Sequence, residues 1–395
     1  MNPRNVELRT HEGVNWGINF ACSLRPAERV LEKPACTRIE AGKLTREQPT
    51  GDPELRRGVL SANVSGMRCR VVEFPFFMQP YQGIPTFGRR PQTHDAREAD
   101  VAILGVPYDG ATSYRSGSRF GPRAIREQSL LLWGYNNALN VAPFEALRII
   151  DAGDADIVPP DQQATQQAIE MEACRIGAAG AAIVALGGDH SITLPLLRAA
   201  SALHGPLAVA HFDSHPDTWD AEFGAQRYSH GTVFRRAIEE NLIDVSAYLQ
   251  IGIRGPTAGP QDYVDARRLG AKIITLDAAL ERGIPEVISE VNSVVNTKSV
   301  YVSLDIDAVD PAFAPGTGTP EPGGFTSHQM IQLVRGLAGL NLVGADLVEV
   351  APPYDHGQIT AILAANLVFE ILSIMALKVA KRRPDPPDSR PGNSS

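Results

Sequence analysis

The chain has 395 residues, 43% hydrophobic and 21% charged, which is ordinary for a globular protein and long enough for one large α/β domain with appendages. Its net charge of -8 argues against a general nucleic-acid binder, which needs basic patches, and no apolar run of about eighteen residues marks a membrane span. Cys22, Cys36, Cys69 and Cys174 are scattered without metal-ribbon spacing. That disfavours a disulfide framework and a thiolate zinc site, and it fits a reducing, cytoplasmic setting. Residues 1–20 carry Arg4, Glu7, Arg9 and Glu12 and lack the apolar core of a secretory signal.

Residues 1–74 show no sustained periodicity and are expected to form a loop-rich N-terminal extension. Phe74–Pro85 is aromatic and proline-rich, the kind of segment that lies across a surface. From about Asp100 onward, short apolar runs alternate with helical patterns. In chain order the expected strands are Val101–Val106, Ala182–Leu186, Leu207–Phe212, Tyr248–Ile253, Lys272–Leu276, Val300–Leu304 and Gly344–Val350. The expected helices are Pro122–Trp133, Gln162–Ala179, Thr193–Ala202, Val233–Asn241, Asp262–Leu269, Ser327–Leu337 and Thr360–Val379. Nearly continuous apolar strands belong to sheets covered on both faces. The expected fold class is therefore α/β, a three-layer αβα arrangement around a mostly parallel sheet of about eight strands. Residues 75–380 would form this domain, and 381–395 (KRRPDPPDSRPGNSS) a disordered tail. In such sheets ligands bind beyond the carboxyl ends of the strands.

Three strand ends carry ligand-type residues. AIVALGGDHS places Asp189 and His190 after a Gly187–Gly188 turn. AVAHFDSHPDTWD supplies His211, Asp213, His215, Asp217 and Asp220, and VYVSLDIDAVDP supplies Asp305, Asp307 and Asp310. Residues two apart on extended chain point the same way, so Asp213, His215 and Asp217 can converge, and so can Asp305 and Asp307. Several carboxylates and imidazoles at one sheet edge repel and desolvate badly without a cation. Two divalent ions about 3.5–4 Å apart relieve both problems and activate water. Oxygen and imidazole donors without thiolate suit manganese first, with iron, cobalt, nickel and zinc also open. Taken singly, Asp189 and Asp310 read as turn formers or caps. His211 is expected to face away from Asp213, with a packed core histidine and a ligand role equally open. His230, in RYSHGT, can be a proton shuttle or a loop histidine. Glu349, ending a strand, can pin a planar cation or form an edge salt bridge.

GGDHS, HFDSHPDT, SHGT, SLDIDAVDPAFAPGTGTPEPGG and VEVAPPYD, in this order, resemble the ureohydrolase family of arginases and agmatinases, as does the upstream YRSGSRFGPRAIRE. The resemblance covers about residues 75–380. It implies a binuclear metal centre, usually manganese with nickel possible, and hydrolysis of a guanidino group with release of urea. By matching positions it makes His190, Asp213, His215, Asp217, Asp305 and Asp307 the ligands, with Asp213 and Asp305 bridging. It makes His230 the proton-shuttling histidine and Glu349 the carboxylate that faces the guanidinium; on that mechanism Asp217, through its second oxygen, is expected to move the proton together with His230. It also implies a homo-oligomer, trimeric or hexameric.

The loop TWDAEFGAQRYSH lacks the asparagine- and serine-bearing pattern with which arginases grip an amino-acid head, so the branch is agmatinase-like and L-arginine is disfavoured. Trp219, two residues after Asp217, is expected at the mouth of the cleft, where an indole narrows the site toward a short substrate, free guanidine at the limit. The alternative is an agmatinase or guanidinobutyrase-type activity on a linear guanidino compound. For a distal ammonium, Asp220 and Glu222 are candidates, and for a distal carboxylate Arg115, Arg119 and Arg227. Hydrolysis of a formimidoyl group and a non-catalytic metal-binding scaffold are the remaining readings.

Overall fold

The computed structural model describes residues 79–380, and before them only five short strands: β1 (Asn5–Leu8), β2 (Trp16–Asn19), β3 (Thr45–Arg46), β4 (Val59–Val64) and β5 (Met67–Val72). β1 pairs with β2, and β3, β4 and β5 form a small sheet, all antiparallel. The loop-rich extension expected over residues 1–74 therefore contains regular pairing. The expected tail at 381–395 and residues 74–78 of the Phe74–Pro85 segment lie outside the described residues; Tyr81 and Ile84 of that segment are largely exposed. The chain divides into two compact units, 1–83 and 84–395.

The second unit is built on eight strands: β6 (Val101–Gly105), β7 (Ile149–Asp154), β8 (Ala182–Leu186), β9 (Leu207–Phe212), β10 (Ile243–Ile253), β11 (Lys272–Thr275), β12 (Ser299–Asp305) and β13 (Asn341–Val348). They lie in the order β11-β10-β9-β12-β13-β8-β6-β7. Every pairing in this sheet is parallel. The helices are α1 (Gly121–Ser129), α2 (Pro143–Ala146), α3 (Gln162–Ala178), α4 (Thr193–His204), α5 (Val233–Glu239), α6 (Gln261–Arg268), α7 (Leu276–Arg282), α8 (Ile284–Val295), α9 (Ser327–Arg335) and α10 (Ile359–Ala380).

Alternation along the strands assigns the two faces. Ala208, Ala210 and Phe212 of β9 join the core under α1 and α7–α10, and Leu207 and Val209 join the core under α3–α6. Both faces are thus dry, which is what a parallel sheet with continuous apolar strands requires. α10 has 22 residues and is long and apolar enough to cross a bilayer, which the sequence reading did not anticipate. Most of it is buried in the protein, and its Glu370 accepts from Asn136 Nδ2 at 2.8 Å and Arg335 Nε at 2.9 Å.

Four elements of this unit are not among the expected ones: β7, α2, α7 and α8. IIDAGD of β7 has only two large apolar residues, and its Asp151 lies buried against Arg126 at 2.9 Å. α7 and α8 were missed as well. The β-branched residues of α8 suggest strand, yet Ile284, Val287, Val291 and Val295 fall on one helical face and are buried.

Candidate metal centre

β8, β9, β12 and β13 are the four central strands, and all four carboxyl ends open at one place. The chain gets there by a jump: β8 and β9 are consecutive in sequence but separated by β12 and β13, which return to fill the gap. Four strand-end loops therefore meet at a topological switch point.

The turn after β8 is held by backbone contact. A Cβ on Gly188 would lie 1.7 Å from the carbonyl oxygen of Tyr108, so only glycine passes there. Asp189 follows, buried, and accepts from Ala111 N at 2.8 Å and Ser191 N at 2.9 Å. It is the turn former and cap expected, and it also ties in the loop after β6. Burial and the nearby Glu349 charge push its carboxyl up to about 7. Asp310 is a turn former too, accepting from Ala312 N and Gly324 N.

The six ligand candidates come together. His190 Nδ1 stands 3.2 Å from Asp213 Oδ2, 3.1 Å from Asp217 Oδ2 and 3.3 Å from Asp305 Oδ2. His215 Nδ1 stands 3.0 Å from Asp307 Oδ2 and 3.5 Å from Asp213 Oδ1. Asp213 therefore presents one oxygen to each imidazole. Asp305 Oδ1 accepts from Asp307 N at 2.8 Å, and Asp307 Oδ1 from Ser214 N at 3.0 Å. Asp217 has φ +49° and Glu349 φ +63°, a conformation costly for residues with a side chain and typical of functional sites.

The electrostatics call for cations. Burial, then the charges of Asp307 and Asp213, drive Asp305 well above the usual carboxylate range. Burial and Asp213 push Asp217 up to about 6. Burial also works against Asp213, but the surrounding imidazoles hold it well below that range. The decisive atom is His190 Nδ1. It is buried and makes no hydrogen bond, although three carboxylate oxygens crowd it. Its Nε2 donates to Ser303 Oγ at 2.9 Å, because the Ser303 hydroxyl is itself spent on Asp346 Oδ1 at 2.7 Å. In the neutral ring the proton thus sits on Nε2; burial works against a second proton, but Asp213, Asp217 and Asp305 raise the His190 pKa well above the usual histidine value, so Nδ1 faces a place that calls for positive charge, which a metal ion can fill. The donors fit a pair of divalent cations: His190, Asp213, Asp217 and Asp305 on one side, His215, Asp213 and Asp307 on the other.

His211 corrects its expectation. It does not face away: its Nε2 lies 2.7 Å from Asp213 Oδ2, since residues two apart share a face until the strand ends. Its ring packs on Phe234 with centroids 4.0 Å apart, and burial lowers its pKa. It packs as a core histidine and contacts the Asp213 carboxylate, and its donor atom also falls with those of His190, Asp213 and Asp217 within 4.8 Å of one another.

Glu349 and His230 stand beside the cluster. Glu349 Oε1 accepts from His190 N and His230 Nδ1, each at 3.0 Å. Oε2 is buried with no partner, and a Cβ on Gly318 would lie 3.6 Å from it. His230 Nε2 accepts from Ser113 N at 3.1 Å. These partners put the neutral ring's proton on Nδ1. Burial lowers the His230 pKa, but Glu349 outweighs it and raises it to about 9.

The remaining candidates divide. Trp219 is half-buried, its ring against Gly231, 2.7 Å from where a Cβ would stand and next in chain to His230. Asp220 is paired with Arg236 at 2.7 Å through Oδ1, and Glu222 accepts from Ser229 Oγ at 2.5 Å. Arg119 pairs with Asp109, and Arg227 with Glu239. Among the described residues Arg115 has no acidic partner. Its guanidinium lies 5.1 Å from the Tyr354 ring centroid, on a cavity of about 420 Å³ shared with Pro315 and Pro320. Ser113, Ser303 and Asp346 were missed by sequence reasoning; the only signal was an acid, Asp346, inside an otherwise apolar strand.

A two-cation donor set at the switch point of a three-layer parallel α/β fold defines a metal-assisted hydrolase. The chain belongs to the arginase family, whose profile matches residues 99–373. It is similar to guanidinopropionase of Pseudomonas aeruginosa, 46% identical over 76% of this chain and 94% of the relative. It is similar also to guanidinobutyrase of the same organism, at 42% over 75% and 94%. The solved structure of proclavaminate amidinohydrolase from Streptomyces clavuligerus superposes with a TM-score of 0.72 at 45% identity, covering 75% of this chain and 98% of that one. The protein is thus an arginase-family amidinohydrolase, with a His/Asp cluster compatible with a binuclear metal centre.

Proposed function

We propose that this enzyme hydrolyses the guanidino group of a small compound other than arginine, releasing urea with ammonia or an amine. The observation that carries this is Glu349 Oε2, a buried carboxylate oxygen with no partner beside the cluster. A planar guanidinium is the cation that satisfies such an oxygen by paired hydrogen bonds. His190, Asp213, His215, Asp217, Asp305 and Asp307 would hold the two cations, manganese by family habit or nickel, with Asp213 facing both sides. Bound there, the cations supply Lewis acidity and lower the pKa of water to near neutrality. Glu349 orients the substrate, His230 hands a proton to the departing nitrogen from the Glu349 side, and Asp217 is the second carrier. In the structure Ser113 N–H occupies His230 Nε2, so the proton in reach is the one on Nδ1. A cytoplasmic homo-oligomer is the accompanying reading.

For substrate size, the Trp219 ring against Gly231, next in chain to His230, supports a narrow site and a short substrate such as free guanidine. A second reading rests on Arg115, which has no acidic partner among the described residues and whose carbonyl lies near Gly318; it would receive the carboxylate of a linear guanidino acid. The deciding experiment is kcat/KM for guanidine, methylguanidine, guanidinopropionate, guanidinobutyrate and agmatine, in wild type, Trp219→Ala and Arg115→Ala. Preference for guanidine that relaxes in Trp219→Ala supports the narrow site. Preference for a guanidino acid that is lost in Arg115→Ala replaces it with the second reading. No urea from any of them, with metal bound, overturns the proposal.

A further inference from the structure

We infer that Asp346 and Ser303 are positioning residues that set the metal affinity of the His190 side of the centre; the inference rests on the metal-binding reading above. Asp346 lies in β13 and is completely buried. Its carboxylate accepts three hydroxyls: Ser303 Oγ on Oδ1 at 2.7 Å, and Thr193 Oγ1 and Tyr301 OH on Oδ2, each at 2.8 Å. Tyr301 reaches it across Gly344, where a Cβ would stand 2.9 Å from the tyrosine ring. Among the described residues no arginine, lysine or histidine forms an ion pair with it. Burial raises its pKa.

A buried carboxylate satisfied only by neutral hydroxyls still lacks a counter-charge. The one path from it to positive charge runs through Ser303 to His190 Nε2 and across the ring to Nδ1, the atom that faces Asp213, Asp217 and Asp305. A cation on Nδ1 draws electron density from the ring and makes Nε2–H a stronger donor. That strengthens the chain to Asp346, and Asp346 in return makes the imidazole more basic toward the cation. The serine also fixes the tautomer: its hydroxyl proton is committed to Asp346, so it can only accept from Nε2. Thr193 and Tyr301 bond the far oxygen and lie off this path.

The test is equilibrium dialysis of metal-free protein against Mn²⁺, with bound metal counted per chain. Ser303→Ala and Asp346→Asn are expected to weaken the His190 side by about 10–100-fold, the usual effect of losing the outer partner of a ligand histidine. Half of the wild-type metal would remain at concentrations that fill both sites in the wild type. Ser303→Thr, which keeps the hydroxyl, restores affinity. Tyr301→Phe separates positioning from packing: it removes a bond to Asp346 but leaves the path to His190, so its affinity stays within about threefold even if its Tm falls. Wild-type affinity in Ser303→Ala, or an equal loss in Tyr301→Phe, overturns the inference. If the wild-type chain binds no Mn²⁺ or other divalent metal, the metal-binding reading itself fails, and this inference with it.

Discussion

Glu349→Gln isolates the role of one oxygen. The amide has the shape of the carboxylate, so Oε1 can go on accepting from His190 N and His230 Nδ1, each at 3.0 Å. What changes is the Oε2 side, which is buried and without a protein partner. There the variant offers N–H donors to a substrate that also has only donors. Removing one partner of a buried, hydrogen-bonded ion pair costs about 3–5 kcal/mol. Because the bonds to Oε1 survive, the low end applies, and about 3–4 kcal/mol corresponds to a fall of two to three orders of magnitude in kcat/KM. Metal content should stay at the wild-type level, since Glu349 is not among the donors. Tm should fall, because the variant loses the charge that pairs with His230 at 3.0 Å. Steady-state urea release, metal content and thermal unfolding on the same samples check all three. A variant within about threefold of wild-type kcat/KM would refute the assignment of Glu349 to the guanidinium.

Asp213→Ala should deplete both cations together and bring urea release to background, because Asp213 faces both imidazoles; full metal content in that variant would refute the shared role. His230→Asn should keep the metals while lowering kcat by roughly 10–10³-fold, the scale of a lost acid–base group, as read from metal content and turnover. The same pair tests the charge of His230 in metal-free protein. A histidine pKa raised to about 9 stabilises the fold fully below its unfolded value of about 6.5, and that contribution is lost as pH rises through 9. Wild-type Tm should therefore fall across this window more than that of His230→Asn; equal slopes would mean that Ser113 N–H keeps the ring neutral. Gly188→Ala should cost at least about 3 kcal/mol by thermal unfolding, since the clash is with the Tyr108 carbonyl rather than with a mobile side chain; an unchanged Tm would refute the close approach.

Much of the fold was readable because buried parallel strands advertise themselves. Ala182–Leu186 and Leu207–Phe212 match their expected spans, being apolar runs that end at ligand residues. The misses share a cause. β7 stands at the sheet edge, where its Asp151 and Asp154 serve Arg126, so its pattern looks like a turn. α8 is made of residues that favour strands, and packing overrode that preference. In neither case does the local sequence contain the partner that decides the matter.

The candidate site divides in the same way. Residues whose side chains converge because they are close in sequence, such as Asp213, His215 and Asp217, could be read from spacing. Residues that matter through a neighbour brought in by topology could not. Ser303 and Asp346 face each other because β12 and β13 are paired in register, Ser303 opposite Asp346, and His190 meets them because β13 also pairs with β8. The same insertion of β12 and β13 between β8 and β9 carries Glu349 to the backbone of His190. The strand order thus does two things at once: it opens the switch point in which the cations and the guanidinium would meet, and it places a buried acid behind the histidine that closes one side of it. A sequence shows the acid and the histidine; that they act on each other follows only from which strands lie side by side.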